Sequence, residues 1–320
     1  MNRIFIRILE DPADMQAAEE LQRQVWPGNE TEIVPAHLLI TAAHNGGLVL
    51  GATEAGEAPD AGDEQSEAVW SGPGSEAPTG PLVGFTFGFP GLYETPDGPR
   101  PKHCSHMLGV LPAYRDQGVG YRLKRAQWQM VRRQGLDRIT WTYDPLLSRN
   151  AQLNIARLGA VCGTYQRNAY GELRDNLNAG LPTDRFQVDW WVNSARVNRR
   201  LSHRARKPLD LAHFLAAGTP LLNPSTPGAD GLPRPAAQPD LSQFQAAADD
   251  TCPLFLVEIP PDFPLMRRSD PALALEWRLH SRGIFEALFS TGYLVTDFVY
   301  LPGAPARSFY VVSYGEASLT

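Results

Sequence analysis

Apolar and polar residues alternate first at 3–9 (RIFIRIL), and the β-branched content there predicts a strand. Asp11 and Pro12 open a helix running to about Val25, proline being suited to a first helical turn. A second helix spans 35–45 and closes at Gly46. Strands are predicted at 47–53 (GLVLGAT) and in the glycine-rich apolar run 82–90 (LVGFTFGFP). Between them, residues 54–80 are rich in Glu, Asp, Gly and Pro and contain no Lys or Arg, which reads as a mobile acidic hairpin loop. The pattern continues with a strand at 103–111, a long helix at 119–134, a strand at 138–143, a short helix at 150–158, and strands at 160–166 and 186–193. Helices interposed between strands predict an α/β fold whose mixed sheet includes parallel pairs.

Pro and Gly become dense at 218–240, marking a linker or long surface loop. Beyond it lie a strand at 254–259, a helix at about 270–290 and strands at 293–300 and 307–314. The expected organisation is a first domain over 1–200, a linker over 201–252 and a smaller α+β region over 253–320. The order strand, long helix, Gly292, strand echoes residues 104–143, so this tail reads as a degenerate pseudo-repeat that lacks the glycine-rich loop.

Composition narrows the function classes. With 43% hydrophobic and 20% charged residues in 320, the chain can build a large core without staples. A net charge of −6 gives no overall support for a nucleic-acid partner. Arg199, Arg200, Arg204, Arg206 and Lys207 form a local basic cluster, read as a solvated segment. Three scattered cysteines, with no CxxC pair, argue for free thiols in a reducing compartment and against a structural zinc. Neither a secretory leader nor an 18-residue apolar run is present, so the expected location is cytoplasmic, away from membranes.

The most informative stretch is residues 106–135, HMLGVLPAYRDQGVGYRLKRAQWQMVRRQG. A strand ends at Val110 and is stopped by Pro112, which cannot donate to a ladder. The loop Arg115-Asp116-Gln117-Gly118-Val119-Gly120 follows, and then a helix with Leu123, Ala126, Gln127, Met130 and Val131 on its inward stripe. The first amides of a helix have no intrahelical partner, and glycines let an anion approach them closely. The helix dipole and the Arg115 charge add to this, and the combination suits a pyrophosphate. Leu123 stands where a dinucleotide fingerprint needs its third glycine, and no GKS or GKT of a nucleotide P-loop is present.

This segment resembles the GNAT family of acyl-CoA N-acyltransferases: Val110, Pro112, Arg115, Gly118 and Gly120 match its V-x-P-x-x-R-x-x-G-x-G signature. The order of elements over roughly the first three-fifths of the chain fits as well. The resemblance implies a GNAT-like mixed, splayed central sheet flanked by helices. Residues 141–191 also look like a bacterial subgroup of predicted acetyltransferases, some of which N-succinylate amino acids. In such enzymes the loop amides of Arg115 to Gly120 hold the pyrophosphate, and backbone groups of Leu108 and Val110 pair with the pantetheine arm. An Asn beyond the next strand contacts that arm, here Asn150, with Asn154 as second choice. The implied donor is acetyl-CoA or succinyl-CoA, no metal is required, and a homodimer is compatible with the resemblance. The chain departs from the family in its short helix, AQLNIARLGA, which lacks the tyrosine that often protonates the leaving thiolate. Tyr165 and Tyr170 are the substitutes close in sequence.

Candidate side chains follow from their places on these elements. By strand alternation His103 and His106 point to opposite faces, His106 sharing its face with Leu108 and Val110. Either could serve as general base or simply pack. Asp144, at the end of its strand, is a catalytic candidate that competes with a turn role before Pro145. Asp184 and Arg185, in the loop GLPTDR, are candidates for substrate binding, since an arginine fork grips a carboxylate. Trp190 and Trp191 alternate, one toward the core and the other toward a pocket. Trp26 and Trp141 are expected in the core. Cys104 and Cys162 carry no partner pattern for a covalent acyl-enzyme.

The expected activity is direct attack of a small amine, such as an amino acid, on the thioester. Two other readings stand beside it: an acyl-CoA sensor without turnover, and a peptide-modifying transferase that uses the acidic loop.

Overall fold

The computed structural model describes residues 3–28, 30–55, 80–171, 181–202, 209–239 and 254–315. Most of the acidic loop, Cys252 and the basic residues Arg204, Arg206 and Lys207 lie outside them. The fold is mixed α/β, and packing divides the chain into two compact units, Met1–Trp141 and Thr142–Thr320.

The first unit contains β1 (Arg3–Ile8), α1 (Pro12–Val25), α2 (Ala36–His44), β2 (Leu48–Ala55), β3 (Leu82–Tyr93), β4 (Arg100–Val110), α3 (Val119–Arg133) and the first residues of β5 (Arg138–Tyr143). Strands β1, β2, β3 and β4 form an antiparallel run, and β5 joins β4 in parallel. Two apolar layers sandwich this sheet. Leu9, Met15, Leu21, Leu39, Phe85 and Phe87 bind α1 and α2 to one face. Ile6, Leu50, Val83, Val119, Leu123 and Ala126 bind α3 to the other. That fixes α3 by its inward stripe, as the 3.6-residue spacing requires.

Two irregularities in β4 matter for function. Pairing with β3 skips one residue: Phe87 faces Met107 and Gly88 faces Ser105, which leaves His106 as a β-bulge. Pairing with β5 covers only His103 with Ile139 and Cys104 with Thr140 and then stops. The parallel content within this unit is therefore one short, parted pair.

The second unit contains α4 (Ser148–Ala151), which runs on into a π-helical stretch (Gln152–Arg157), followed by β6 (Val161–Gln166), β7 (Arg185–Trp191), α5 (Ala195–Leu201) and α6 (Leu211–Ala216). A two-residue hairpin, β8 (Thr226–Pro227) and β9 (Pro233–Arg234), precedes β10 (Phe255–Ile259), α7 (Phe263–Ser269), α8 (Pro271–Ser290), β11 (Tyr293–Leu301) and β12 (Arg307–Tyr314). Its strands run in the order β7-β6-β11-β12-β10, all pairs antiparallel. Phe186, Phe285 and Tyr310 meet edge to face, with centroids 4.8–5.5 Å apart, in the geometry ring quadrupoles favour. Opposite faces of β12 behave differently: Phe309 and Val311 pack with Leu211 and Phe214 of α6.

The helix expected over 270–290 proves to be the second of two. Asp270 ends α7 and caps α8, its carboxylate accepting from the Leu273 amide at 3.0 Å. Strand β12 stands between β10 and β11, whereas β4 and β5 pair directly. Part of the proline-rich stretch is fixed rather than looping freely: Pro220 and Leu222 exchange backbone hydrogen bonds with Leu256 of β10.

Buried ion pairs lock the second unit. Arg278 of α8 donates to both oxygens of Asp144 at 2.8 and 2.5 Å, both residues being buried. Removing one partner of such a pair strands the other in a low dielectric, at a cost of about 3–5 kcal/mol. Asp144→Ala is therefore expected to lower the unfolding free energy by that amount, read in urea as a lower midpoint with an unchanged slope. Asp137→Ala, which breaks the exposed pair with Arg100, is expected to cost less than about 1 kcal/mol.

Candidate active site

The loop after β4 has the geometry its sequence predicts. Pro112–Tyr114 make a tight 3₁₀ turn, Asp116 and Gly118 take left-handed backbone angles (φ 63° and 78°), and α3 begins at Val119. No side chain caps α3, and the first amides of a helix have no intrahelical partner. A Cβ on Gly118 would meet nothing within 4 Å, which means that the space beside this turn is open. Arg115 ties the loop to the strand end, its Nε donating to the Val110 carbonyl at 3.0 Å, and Gln117 donates to the Ala113 carbonyl at 2.8 Å. Arg115, Asp116 and Gln117 are exposed, Val119 is buried beneath them, and Gly120 is partly covered. All six loop residues thus gather at one helix N-terminus.

The bulge corrects the expected side-chain directions on β4. The His106 ring lies against Phe87 and Phe89, with centroids 6.0 and 5.9 Å away, on the α1/α2 side. Leu108 and Val110 pack on the α3 side. One extra residue flips the alternation, so His106 does not share their face. The expectation that His103 and His106 lie on opposite faces holds. Partial burial lowers the His106 pKa, which leaves the imidazole neutral near pH 7 and able to accept a proton. A bulge also leaves one residue out of the regular ladder.

Behind β4 lies a polar cluster that the sequence reading passed over. Lys124, only 2% exposed, reaches from α3 to donate to Ser105 Oγ at 2.7 Å and Gln127 Oε1 at 3.2 Å. Its ammonium sits 3.8 Å from the centre of the Trp141 ring. Gln127 also meets His103 Nε2 at 3.2 Å, while His103 Nδ1 is buried without a partner. Burial, aided by the nearby Lys124 charge, depresses His103 to about 3. Burial lowers Lys124 to about 7. A Cβ at Gly88 would collide with the His103 ring, so glycine on β3 makes the space for it. The available signal was Lys124 at helical spacing with Gln127 and Val131 on the inward stripe.

The other candidates belong to the second unit, and most are engaged. Asp144 gives both oxygens to Arg278 and one also to the Leu146 amide at 2.9 Å, so it would have to break that pair to act as a base. Asp184, fully buried, accepts from Tyr165 at 2.7 Å, from Arg282 at 2.8 and 3.0 Å and from the Asn168 amide at 2.9 Å. Burial opposes its ionisation, but those donors win and hold its pKa below the ordinary value. Asp184 therefore organises the loop and leaves no lone pair directed at a substrate. Tyr165 spends its proton on Asp184, and burial pushes its pKa up, which makes it a poor acid. Tyr170 is exposed, shares a 2.6 Å hydrogen bond with Thr142 and lies under Arg185, whose guanidinium is 5.4 Å from its ring centre. Asn150 sits on α4, and Asn154 is buried in the π-helical stretch, a distortion often found at functional sites. Trp190 is core and donates to the Leu158 carbonyl at 2.8 Å, while Trp191 is partly exposed. Trp26 and Trp141 are only partly buried. Cys162 is buried, its thiol pushed up by burial. Among the described residues no cluster suited to a metal ion occurs, and no helix is long and apolar enough to cross a membrane.

No family model matches the chain, and no curated protein matches it. Solved structures that it resembles include NAA60 of Arabidopsis thaliana in complex with acetyl-CoA, at 17% identity and a TM-score of 0.42, covering 60% of this chain and 99% of that one. A chain of the NatC complex bound to Gag peptide and CoA gives 16% identity and a TM-score of 0.39, covering 58% and 97%. The aminoglycoside N-acetyltransferase AAC(6')-Iy in complex with CoA gives 18% and 0.31, covering 45% and 80%.

Substituting Gly118 tests the loop. A β-branched residue at φ 78° is strained by about 1–2 kcal/mol, and its side chain enters the open space beside the amides. If the loop takes the diphosphate of coenzyme A, Gly118→Val weakens that binding at least about tenfold by calorimetry, with an unchanged far-UV spectrum.

Proposed function

We propose that this protein is an N-acyltransferase that moves an acyl group from coenzyme A to an amine by direct attack on the thioester. One observation carries the reading. From Ser105 to Val110, β4 has no β5 partner, and this open backbone runs from the bulge at His106 to the phosphate-type loop at its other end. Six residues span roughly 20 Å at about 3.3 Å each. That length suits an extended arm whose amides need backbone partners, with a diphosphate at one end and a thioester at the other. Leu108 and Val110 supply those partners.

The chemistry needs a held amine, a donor for the developing oxyanion and an acceptor for the amine proton. The bulge amide serves as the donor and His106, neutral and beside the bulge, as the base, directly or through water. The acyl group is acetyl or succinyl. The acceptor is a small amine, with an amino acid as the preferred class, and the setting is the cytoplasm. A sensor that binds acyl-CoA without turnover is the second reading. It is favoured by the engagement of Asp144, Asp184 and Tyr165 in internal contacts.

The test incubates purified protein with acetyl-CoA or succinyl-CoA and a panel of amino acids and simple amines while thiol release is followed. Amine-dependent release with at least one pair is expected. Coenzyme A binding without release anywhere in the panel would leave the sensor, and absence of binding would remove both readings.

A further inference from the structure

We infer that the Ser105 hydroxyl, backed by the Lys124 ammonium, is the proton source for the departing thiolate, filling the place of the tyrosine this chain lacks. The inference rests on the acyltransfer reading above. Its geometry is independent of that reading. The β4–β5 ladder ends at Cys104 and Thr140, so Ser105 and Trp141 are the first residues on either side of the parting. Lys124 reaches between these two, 2.7 Å from the Ser105 oxygen and 3.8 Å from the Trp141 ring centre. The bulge at His106 follows Ser105 directly. A thioester held at that bulge has its sulfur next to this hydroxyl.

The amine nitrogen bonds to the thioester carbon and its proton passes to His106, directly or through water, while the C–S bond breaks and its electron pair moves to sulfur. Sulfur takes the Ser105 hydroxyl proton, and the Ser105 oxygen takes one from Lys124. The resulting neutral Lys124 amine, 2% exposed, regains its proton through Ser105 once the product thiol has left and water enters the parting.

Acidity decides between a structural lysine and a proton source. An ordinary lysine, near 10.4, is a weaker acid than a thiol, near 8.5, and would not protonate a thiolate. Burial brings Lys124 to about 7, so transfer runs downhill. Among the described residues, β4, β5 and α3 bring one other titratable group to it, His103, which is buried and neutral, and Lys124 makes no ion pair with a carboxylate. Lys124 acts through Ser105 and is a positioning residue.

The full-length protein decides the matter. Wild-type kcat for amine-dependent thiol release is expected to fall on the alkaline side of about pH 7 as Lys124 loses its proton. Ser105→Ala should lower kcat by about 10²-fold, leave KM for acyl-CoA within about threefold and abolish that alkaline limb. Lys124→Met should do the same, and the double variant should be no slower than either single one, because the two groups act as one unit. Lys124→Arg keeps a charge that does not titrate, so its profile should lose the limb too. If the wild type turns over but Ser105→Ala keeps the limb, or the two losses multiply, the relay is wrong and acyl transfer stands. If the wild type releases no thiol with any amine, both fall.

Discussion

Backbone hydrogen bonding sets the terms for this fold. Every buried N–H and C=O needs a partner, yet β4 leaves its neighbour after two residue pairs. A strand abandoned in this way behaves as an exposed edge, ready to pair with any extended chain of amides. The bulge adds a second departure on the other side of the same strand, so β4 is irregular toward both β3 and β5 within two residues. Thr86 limits the damage, its hydroxyl donating to the Met107 carbonyl at 2.9 Å. Such irregularities persist where the surroundings over-determine them, and here the apolar layers of α1, α2 and α3 clamp the strand from both faces.

The lysine behind the parting shows how close the balance is. Desolvating an ammonium costs several kcal/mol. A buried cation–π contact returns about 2 kcal/mol, and each hydrogen bond to a charged group about 1.5–3 kcal/mol. Those contacts fall short of the desolvation cost, so the proton is only weakly held. A fall from the ordinary lysine value to about 7 corresponds to about 5 kcal/mol of lost preference for the charged form. A carboxylate partner would restore the ordinary charge and end any proton transfer, and Lys124 makes no ion pair among the described residues. Its companions are an alcohol, an amide and an indole, groups that hold an ammonium without fixing its proton.

Local periodicity made most elements legible. The helix at Pro12–Val25 and the strands at Arg138–Tyr143 and Arg307–Tyr314 coincide with their predicted spans, because caps, prolines and alternation are written into contiguous residues. The phosphate-type loop was legible for the same reason. What escaped depends on residues distant in sequence or on a single insertion in register. The His106 bulge carries no compositional mark, yet it moves His106 away from the face of Leu108 and Val110. The partners of Asp144 and Asp184, Arg278 and Arg282, lie 134 and 98 positions along the chain. Both carboxylates therefore read as free, and both are held. Helices α5 and α6 were hidden because basic and proline-rich composition masked their short apolar stripes.

Carboxylates of the second unit are held by arginines. In the second unit Asp144, Asp184 and Glu258 each meet an arginine fork, from Arg278, Arg282 and Arg307. Arg278 and Arg282 stand one helical turn apart on α8, so a single helix neutralises two of the strongest acid–base candidates in the chain. A carboxylate gripped by two guanidinium donors has little proton affinity left. The first unit offers the opposite environment: among the described residues His106 and Lys124 form no ion pair with a carboxylate, and burial pulls both toward their neutral forms. His106 and Lys124 flank the parting of β4, one on each face of the strand, and burial favours the neutral form of each.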